Sequence, residues 1–100
     1  MKKVFVTRKL LKENEDKLRE LFDVKLNIND KIYSAQEIVE GSKDCDGILS
    51  SVTDPISADT ISKFSKSIKI IANGAVGYGN IDFKTARAKG IAVTNTPDVL

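Results

Sequence analysis

Residues 70–82 read Ile70-Ile71-Ala72-Asn73-Gly74-Ala75-Val76-Gly77-Tyr78-Gly79-Asn80-Ile81-Asp82. The apolar start of this stretch is typical of a buried strand, and the glycine-rich part predicts a tight turn before a helix. The glycines allow positive φ angles, so successive backbone N–H groups can converge on one carboxylate or phosphate. Glycines after a strand are also typical of ordinary turns. The residues alone therefore leave a binding loop and a plain turn as open interpretations.

The composition is that of an ordinary globular domain. The chain has 100 residues, and its 16 basic and 14 acidic side chains give a net charge of +2. Because these charges are scattered rather than gathered into a stripe, we expect no nucleic-acid partner. The basic start is followed by too few apolar residues for a signal peptide or a membrane span. With a single cysteine, Cys45, and no internal disulfide, a cytoplasmic location without membrane contact is expected.

The chain contains no histidine. Histidine is the usual acid or base near neutral pH, and no serine or cysteine has an evident base partner nearby in the sequence. Metal-binding groups of His, Cys or carboxylate ligands at fixed spacing are also missing. The sequence therefore predicts no catalytic and no metal-binding residues in this chain.

Apolar patterns and capping residues predict five strands alternating with four helices. We expect strands over 4–7, 24–28, 46–50, 68–72 and 91–94, the second being a half-exposed edge strand. The first helix should bury a stripe of Leu11, Leu18, Leu21 and Phe22. The later helices should begin at Ser34, Ser57 and Asp82, with a Ser34–Glu37 capping box, and the last should end at Gly90.

Strands that alternate with helices predict an α/β domain with a parallel sheet. We expect a flavodoxin-like three-layer domain with a five-stranded sheet in the order 2-1-3-4-5. In such sheets ligands bind at the carboxyl ends of the strands, beside the switch point between strands 1 and 3. The loops 7–9, 50–53 and 73–79 should therefore meet at one edge.

Other uses of this architecture can be compared with the sequence. A phosphoacceptor receiver domain needs acidic residues after strands 1 and 3, where this chain has Thr7-Arg8 and Leu49-Ser50. A flavodoxin needs a Ser/Thr/Gly-rich phosphate loop after strand 1, where Arg8-Lys9-Leu10-Leu11 stands. No GxGxxG dinucleotide fingerprint occurs in the chain. These three alternatives are excluded.

Three segments carry a family resemblance: 3–8, 73–82 and 89–100. Runs such as Ala75-Val76-Gly77-Tyr78 and Val93-Thr94-Asn95-Thr96-Pro97 make the chain resemble the N-terminal portion of a D-isomer-specific 2-hydroxyacid dehydrogenase. The resemblance covers essentially the whole chain and is greatest to the glyoxylate/hydroxypyruvate reductases. It implies that residues 1–100 are part of the substrate domain. It also implies that the NAD- or NADP-binding Rossmann domain and the catalytic Arg, Glu and His lie beyond Leu100.

The resemblance further implies where a small 2-oxo or 2-hydroxy carboxylic acid would bind. Backbone amides around Val76 and Gly77 would hold the carboxylate, with residues 49–52 on the opposite wall. Gly74 and Gly79 depart from the family pattern, which would make the loop looser. The implied substrate-binding residues are Ser50, Ser51, Val52, Ala75, Val76, Gly77 and Tyr78.

Two functions from different classes remain open at this stage. The first is the substrate-binding part of an NAD(P)-dependent oxidoreductase, inactive alone and binding no cofactor itself. The second is a stand-alone non-catalytic module that binds small acids or serves oligomerisation or regulation. Because the fifth strand has an apolar edge without an inserted charge, we also expect a homodimer.

Overall fold

The computed structural model describes residues 2–51, 56–73 and 82–95. Within these ranges five strands alternate with four helices, as the sequence predicts. The strands are β1 (Lys3–Val6), β2 (Asp23–Lys25), β3 (Gly47–Ser50), β4 (Ile70–Asn73) and β5 (Ala92–Asn95). The helices are α1 (Lys12–Leu21), α2 (Ala35–Gly41), α3 (Ala58–Ser62) and α4 (Phe83–Ala88). None of these helices is long and apolar enough to cross a membrane.

The five strands form one sheet in the order β2-β1-β3-β4-β5, and every pair is parallel. This confirms the predicted fold class. The chain moves outward from β1 to β2 on one side and from β3 to β5 on the other. The order of strands therefore reverses between β1 and β3, which is the place where open α/β sheets bind their ligands.

The hydrophobic core lies between one face of the sheet and three helices. Phe5, Ile48 and Ile71 are neighbours in the register of β1, β3 and β4, and all three are buried. Their partners from the helices are Ile38 of α2, Ile61 of α3 and Ala86 of α4. Cys45 is also buried in this cluster, so the interpretation of this residue as a small core side chain is confirmed.

The predicted helix starts are confirmed by their hydrogen bonds. Ser34 Oγ accepts from the Glu37 N–H at 3.2 Å, and Glu37 Oε1 accepts from the Ser34 N–H at 3.0 Å. Ser57 Oγ caps α3 by accepting from the Thr60 N–H at 3.4 Å, and Asp82 Oδ1 caps α4 by accepting from the Thr85 N–H at 3.1 Å. Gly90, at φ 83°, follows the last helix in the left-handed region that favours glycine.

Two expectations about the first third of the chain are wrong. The second strand ends at Lys25 rather than Ile28, because residues 26–33 turn into a loop in which Asn27 is buried and Ile28 is exposed. The apolar stripe of α1 is also narrower than predicted. Leu11 precedes the helix and is 71% exposed, and Leu21 is 58% exposed.

A charged side chain takes a buried place at the start of α1. Glu15 is 6% exposed, and its Oε2 accepts the Leu10 N–H at 3.2 Å while Oε1 lies 3.7 Å from Lys9 Nζ. A carboxylate near a helix N-terminus is favoured by the free N–H groups there. The bond from the Leu10 N–H and the nearby Lys9 ammonium compensate the Glu15 carboxylate for its burial.

The sheet face opposite the main core carries an open apolar groove of about 340 Å³. Leu18 and Phe22 form its helical wall, and Leu49 and Ile70 belong to its floor. Ile70 is 41% exposed, although it lies in a central part of the sheet. In the described ranges this face is therefore less completely covered than the face with the main core.

Candidate functional site

Polar residues occupy one level at the carboxyl ends of four neighbouring strands. Ser50 pairs with Asn73 at the end of β3 and β4, and Asn73 pairs with Asn95 at the end of β5. Thr7 directly follows β1, where Val6 pairs with Leu49, so it stands at the level of Ser50. We call Thr7, Ser50, Asn73 and Asn95 the polar row. It runs across the sheet from the β1/β3 switch point to the edge.

The two described side chains of the polar row are buried. Thr7 is 0% exposed and Ser50 is 3% exposed. Thr7 donates to the Leu49 carbonyl through its N–H at 3.1 Å and through Oγ1 at 3.4 Å. Ser50 Oγ donates to the Ala72 carbonyl at 3.5 Å. These bonds join β1, β3 and β4 at the carboxyl edge of the sheet.

The sequence-derived site residues fall into two groups. Ser50 ends β3 in the polar row, and the half-buried Ser51 follows it, so both lie at the expected edge. The other proposed residues lie outside the described ranges: Val52, Ala75, Val76, Gly77 and Tyr78. Asn73 is the last described residue before the second of these segments, and it belongs to the polar row.

The loop after β2 brings Asn27 to the end of β1, which the sequence did not predict. Asn27 is 3% exposed, and its amide donates to the Thr7 carbonyl at 2.9 Å and to the Lys31 carbonyl at 2.6 Å. Its Oδ1 accepts the Lys31 N–H at 3.1 Å. The sequence signal for this loop was the run Asn27-Ile28-Asn29-Asp30, which is rich in turn-forming residues.

The same loop holds the segment after β1 through Asp30. Its carboxylate accepts from Arg8 Nε at 2.8 Å, from Arg8 Nη2 at 3.2 Å and from the Lys9 N–H at 2.9 Å. The bonds to the Arg8 guanidinium, followed by the bond to the Lys9 N–H, lower the pKa of Asp30 from 3.8 to about 2. Asp30 is therefore an anion throughout the physiological range and is already paired with Arg8.

The described residues at the carboxyl edge are mainly hydrogen-bonding groups. The described ranges contain no group of three or more His, Cys, Asp or Glu side chains that could hold a metal ion. Cys45 lies just before β3, at the end of the strand opposite Ser50, and burial raises the pKa of its thiol. The described side chains of the polar row, Thr7 and Ser50, carry hydroxyl groups, which can donate and accept hydrogen bonds.

The described segment after β1 is not a dinucleotide-binding loop. A bound pyrophosphate needs a glycine-rich loop between a strand and a helix N-terminus. Here β1 leads into Thr7-Arg8-Lys9, and both Thr7 and Arg8 are engaged in the bonds described above.

A parallel sheet in the order β2-β1-β3-β4-β5 with a polar row beside its switch point defines this chain as a doubly wound α/β domain. Residues 4–100 match the family model described as D-isomer specific 2-hydroxyacid dehydrogenase, catalytic domain. The chain belongs to this family. The resemblance found in the sequence is thereby confirmed.

The similar proteins are considerably longer than this chain. It is 44% identical over 98 residues to a glyoxylate reductase from Korarchaeum cryptofilum. The matched residues cover 98% of this chain and 29% of that reductase. A glyoxylate reductase from Thermococcus onnurineus is 37% identical over 98 residues, with the same shares. The chain thus spans less than a third of the length of these relatives.

A solved structure shares the fold over the whole chain. It comes from Polaromonas and is described as a D-isomer specific 2-hydroxyacid dehydrogenase, NAD-binding. The TM-score is 0.94 at 34% sequence identity, and the match covers 100% of this chain and 31% of the Polaromonas chain. The five-stranded sheet is therefore the arrangement that this family uses for the corresponding part of a longer protein.

Proposed function

We propose that this chain is the substrate-binding part of an NAD(P)-dependent oxidoreductase that interconverts small 2-oxo acids and D-2-hydroxy acids of the glyoxylate and hydroxypyruvate type. The observation that carries the proposal is the polar row at the carboxyl edge of a sheet belonging to this family. In this proposal residues 1–100 form part of the substrate domain. The Rossmann domain and the catalytic Arg, Glu and His belong to the longer protein.

The binding role follows from what a small 2-oxo acid offers. Its carboxylate is best held by several hydrogen-bond donors at once. Backbone N–H groups can serve as these donors without adding charge to the site. We assign the carboxylate to backbone amides in the segment Ala75 to Tyr78, with Ser50, Ser51 and Val52 forming the facing wall. The family membership supports this assignment, as does the placement of Ser50 and Asn73 at one level.

Weak binding is expected for the isolated chain. Hydrogen bonds to a charged group contribute about 1.5–3 kcal/mol each. Association costs at least about 4 kcal/mol in lost freedom of motion. Two such bonds therefore leave a dissociation constant in the millimolar range or above.

An NMR titration of the ¹⁵N-labelled chain with oxalate or glyoxylate tests the proposal. The shifted amides should include Ser50 and Ser51 and the segment Ala75 to Tyr78. Ser51→Ala should weaken binding, whereas Ser62→Ala should not, since Ser62 is an exposed serine that bonds to the Asp59 carbonyl on α3. Shifts confined to the amino ends of the strands would contradict the proposed site.

We expect no hydride transfer by this chain alone. It has no histidine to act as the acid or base. Glyoxylate or hydroxypyruvate reduction, followed through NADH or NADPH absorbance, should stay at background with the pure 100-residue chain. Steady turnover that copurifies with the chain and is abolished by Ser51→Ala would contradict the assignment of catalysis to the longer protein.

Self-association through β5 is proposed as a second property. β5 is the outermost strand of the sheet, and its residues Ala92–Asn95 carry no charge that would discourage pairing with another strand. Light scattering on a sizing column over a hundredfold range of concentration should detect a dimer. Thr94→Lys should weaken the dimer, and Gln36→Lys, which adds the same charge on α2, should leave it unchanged. A monomer at every concentration would contradict the proposal.

A further inference from the structure

The loop 26–33 is fastened to the end of β1 at two separate points. At the first, the buried Asn27 amide donates to the Thr7 carbonyl at 2.9 Å. At the second, Asp30 accepts from both Arg8 and the Lys9 N–H. Three consecutive residues after β1 are thus held by one short loop from a neighbouring strand.

The loop itself is shaped to present these groups. The Asn27 side chain closes a turn by bonding to both the N–H and the carbonyl of Lys31. The Asp30 N–H donates to the Asn27 carbonyl at 3.1 Å, and Asp30 adopts φ 50°. Left-handed residues other than glycine are uncommon, and Asp and Asn tolerate this conformation best. The loop therefore holds a less favourable backbone conformation at the residue that contacts Arg8.

The fastened segment leads directly to the candidate site. Thr7 lies next to Arg8, and both its N–H and its Oγ1 donate to the Leu49 carbonyl. Leu49 precedes Ser50 and Ser51. These two serines are the residues of the proposed site that the structure describes. A continuous path of hydrogen bonds and covalent neighbours thus runs from Asp30 and Asn27, through Thr7, to Ser50.

We propose that Asn27 and Asp30 are positioning residues of the substrate site, which hold the end of β1 against β3 and so fix Ser50 and Ser51. This inference rests on the proposed function, since it concerns the same site. Neither residue needs to touch the ligand. Their effect is to prevent the end of β1 from moving away from Leu49 when the site is empty.

Another ion pair in the same loop supplies a matched control. Lys31 Nζ lies 2.6 Å from Glu37 Oε2, so this pair ties the loop to α2 and not to β1. Asp30→Asn and Glu37→Gln each replace a paired carboxylate by its amide. Asn also tolerates the left-handed conformation at position 30, and Gln can still complete the capping box at position 37. Only Asp30→Asn weakens the connection to Arg8, because it removes the negative charge and replaces the acceptor of the Arg8 Nη2 bond by an NH₂ group, while its Oδ1 can still accept from the Lys9 N–H.

The experiment compares the wild-type chain, Asp30→Asn and Glu37→Gln by NMR titration with oxalate, together with their unfolding midpoints. Asp30→Asn should shift the amides of Thr7, Ser50 and Ser51 before any ligand is added. It should also raise the dissociation constant for oxalate about threefold or more. A change of this size corresponds to the contribution of about one hydrogen bond. Glu37→Gln should leave both quantities at their wild-type values.

Three results would overturn the inference. Equal weakening by both variants would show a general effect of loosening the loop. Wild-type affinity in Asp30→Asn, with shifts confined to residues 26–33 and 8–9, would show that the loop has no influence on the site. Absence of oxalate binding to the wild-type chain would instead refute the proposed function, and the positioning role would be refuted with it.

Discussion

Among the glycines that the structure describes, Gly41 is the one where an added methyl group meets the closest contact. It is the last residue of α2, and a Cβ built on it would lie 2.6 Å from both Cε1 and Cζ of Phe5. Ordinary carbon contacts lie at about 3.5–4.0 Å, so both ring atoms would be about 1 Å too close. The Phe5 ring has little freedom to move, because it is 6% exposed and stacks on Tyr33 at a centroid distance of 5.5 Å.

Two opposing effects decide the outcome of Gly41→Ala. Alanine is favoured over glycine in a helix by at most about 1 kcal/mol. Forcing an extra methyl group into a packed core costs about 1–3 kcal/mol. We therefore expect the free energy of unfolding to fall by about 1–2 kcal/mol. For a domain of this size that is a decrease of about 4–15 °C in the unfolding midpoint.

Urea unfolding followed by circular dichroism measures this change, and a double-mutant cycle identifies its cause. Phe5→Leu removes the ring atoms that the new methyl group would meet. In that background Gly41→Ala should become neutral or stabilising, since only the helix preference remains. If Gly41→Ala alone is as stable as the wild-type chain, the ring must yield more easily than its burial indicates, and the reasoning fails.

Three further predictions concern charged residues. Because the pKa of Asp30 is lowered to about 2, its contribution to stability is present above about pH 4 and is lost as the pH falls toward 2. The free energy of unfolding of Asp30→Asn should therefore fall less steeply than that of the wild-type chain over this pH range. An identical pH dependence in the two proteins would contradict the pairing with Arg8. Lys89 Nζ donates to the carbonyls of Ile61, Ser62 and Phe64 at 2.8–3.2 Å. Lys89→Met should lower the free energy of unfolding by about 1–2 kcal/mol, and Lys63→Met, which removes only an exposed pair with Asp59, by less than about 0.5 kcal/mol. Asp44 has φ 68°, so Asp44→Val should destabilise by about 1–2 kcal/mol while Asp44→Asn stays close to wild type in the same urea assay.

The parts of the fold that the sequence predicted depend on short-range patterns. The capping box of Ser34 and Glu37 needs only residues three apart, and its two bonds form as expected. Gly90 marks the end of α4 because the left-handed position after a helix favours glycine. The parallel direction of the strands was predicted from the alternation of strands and helices, together with the rule that such crossovers are right-handed.

The loop 26–33 was missed because its cause is long-range. Alternation of Val24, Leu26 and Ile28 favours a strand, but pairing with β1 ends at Lys25. Asn27 is buried there, and its amide donates to the Thr7 and Lys31 carbonyls. Thr7 and Asn27 are 20 residues apart in the sequence, and no local pattern contains that contact.

The position of the polar row is a consequence of how the core packs. Phe5, Ile48, Ile71 and Val93 are matched across β1, β3, β4 and β5. Two residues beyond each of them stand Thr7, Ser50, Asn73 and Asn95, which are the polar row. Strand positions repeat every two residues, so the register that buries the apolar set also brings the polar set to one level. A slip of one residue in any strand would expose a core side chain and displace its polar neighbour. The hydrophobic contacts that stabilise the sheet therefore also determine where a ligand can be bound.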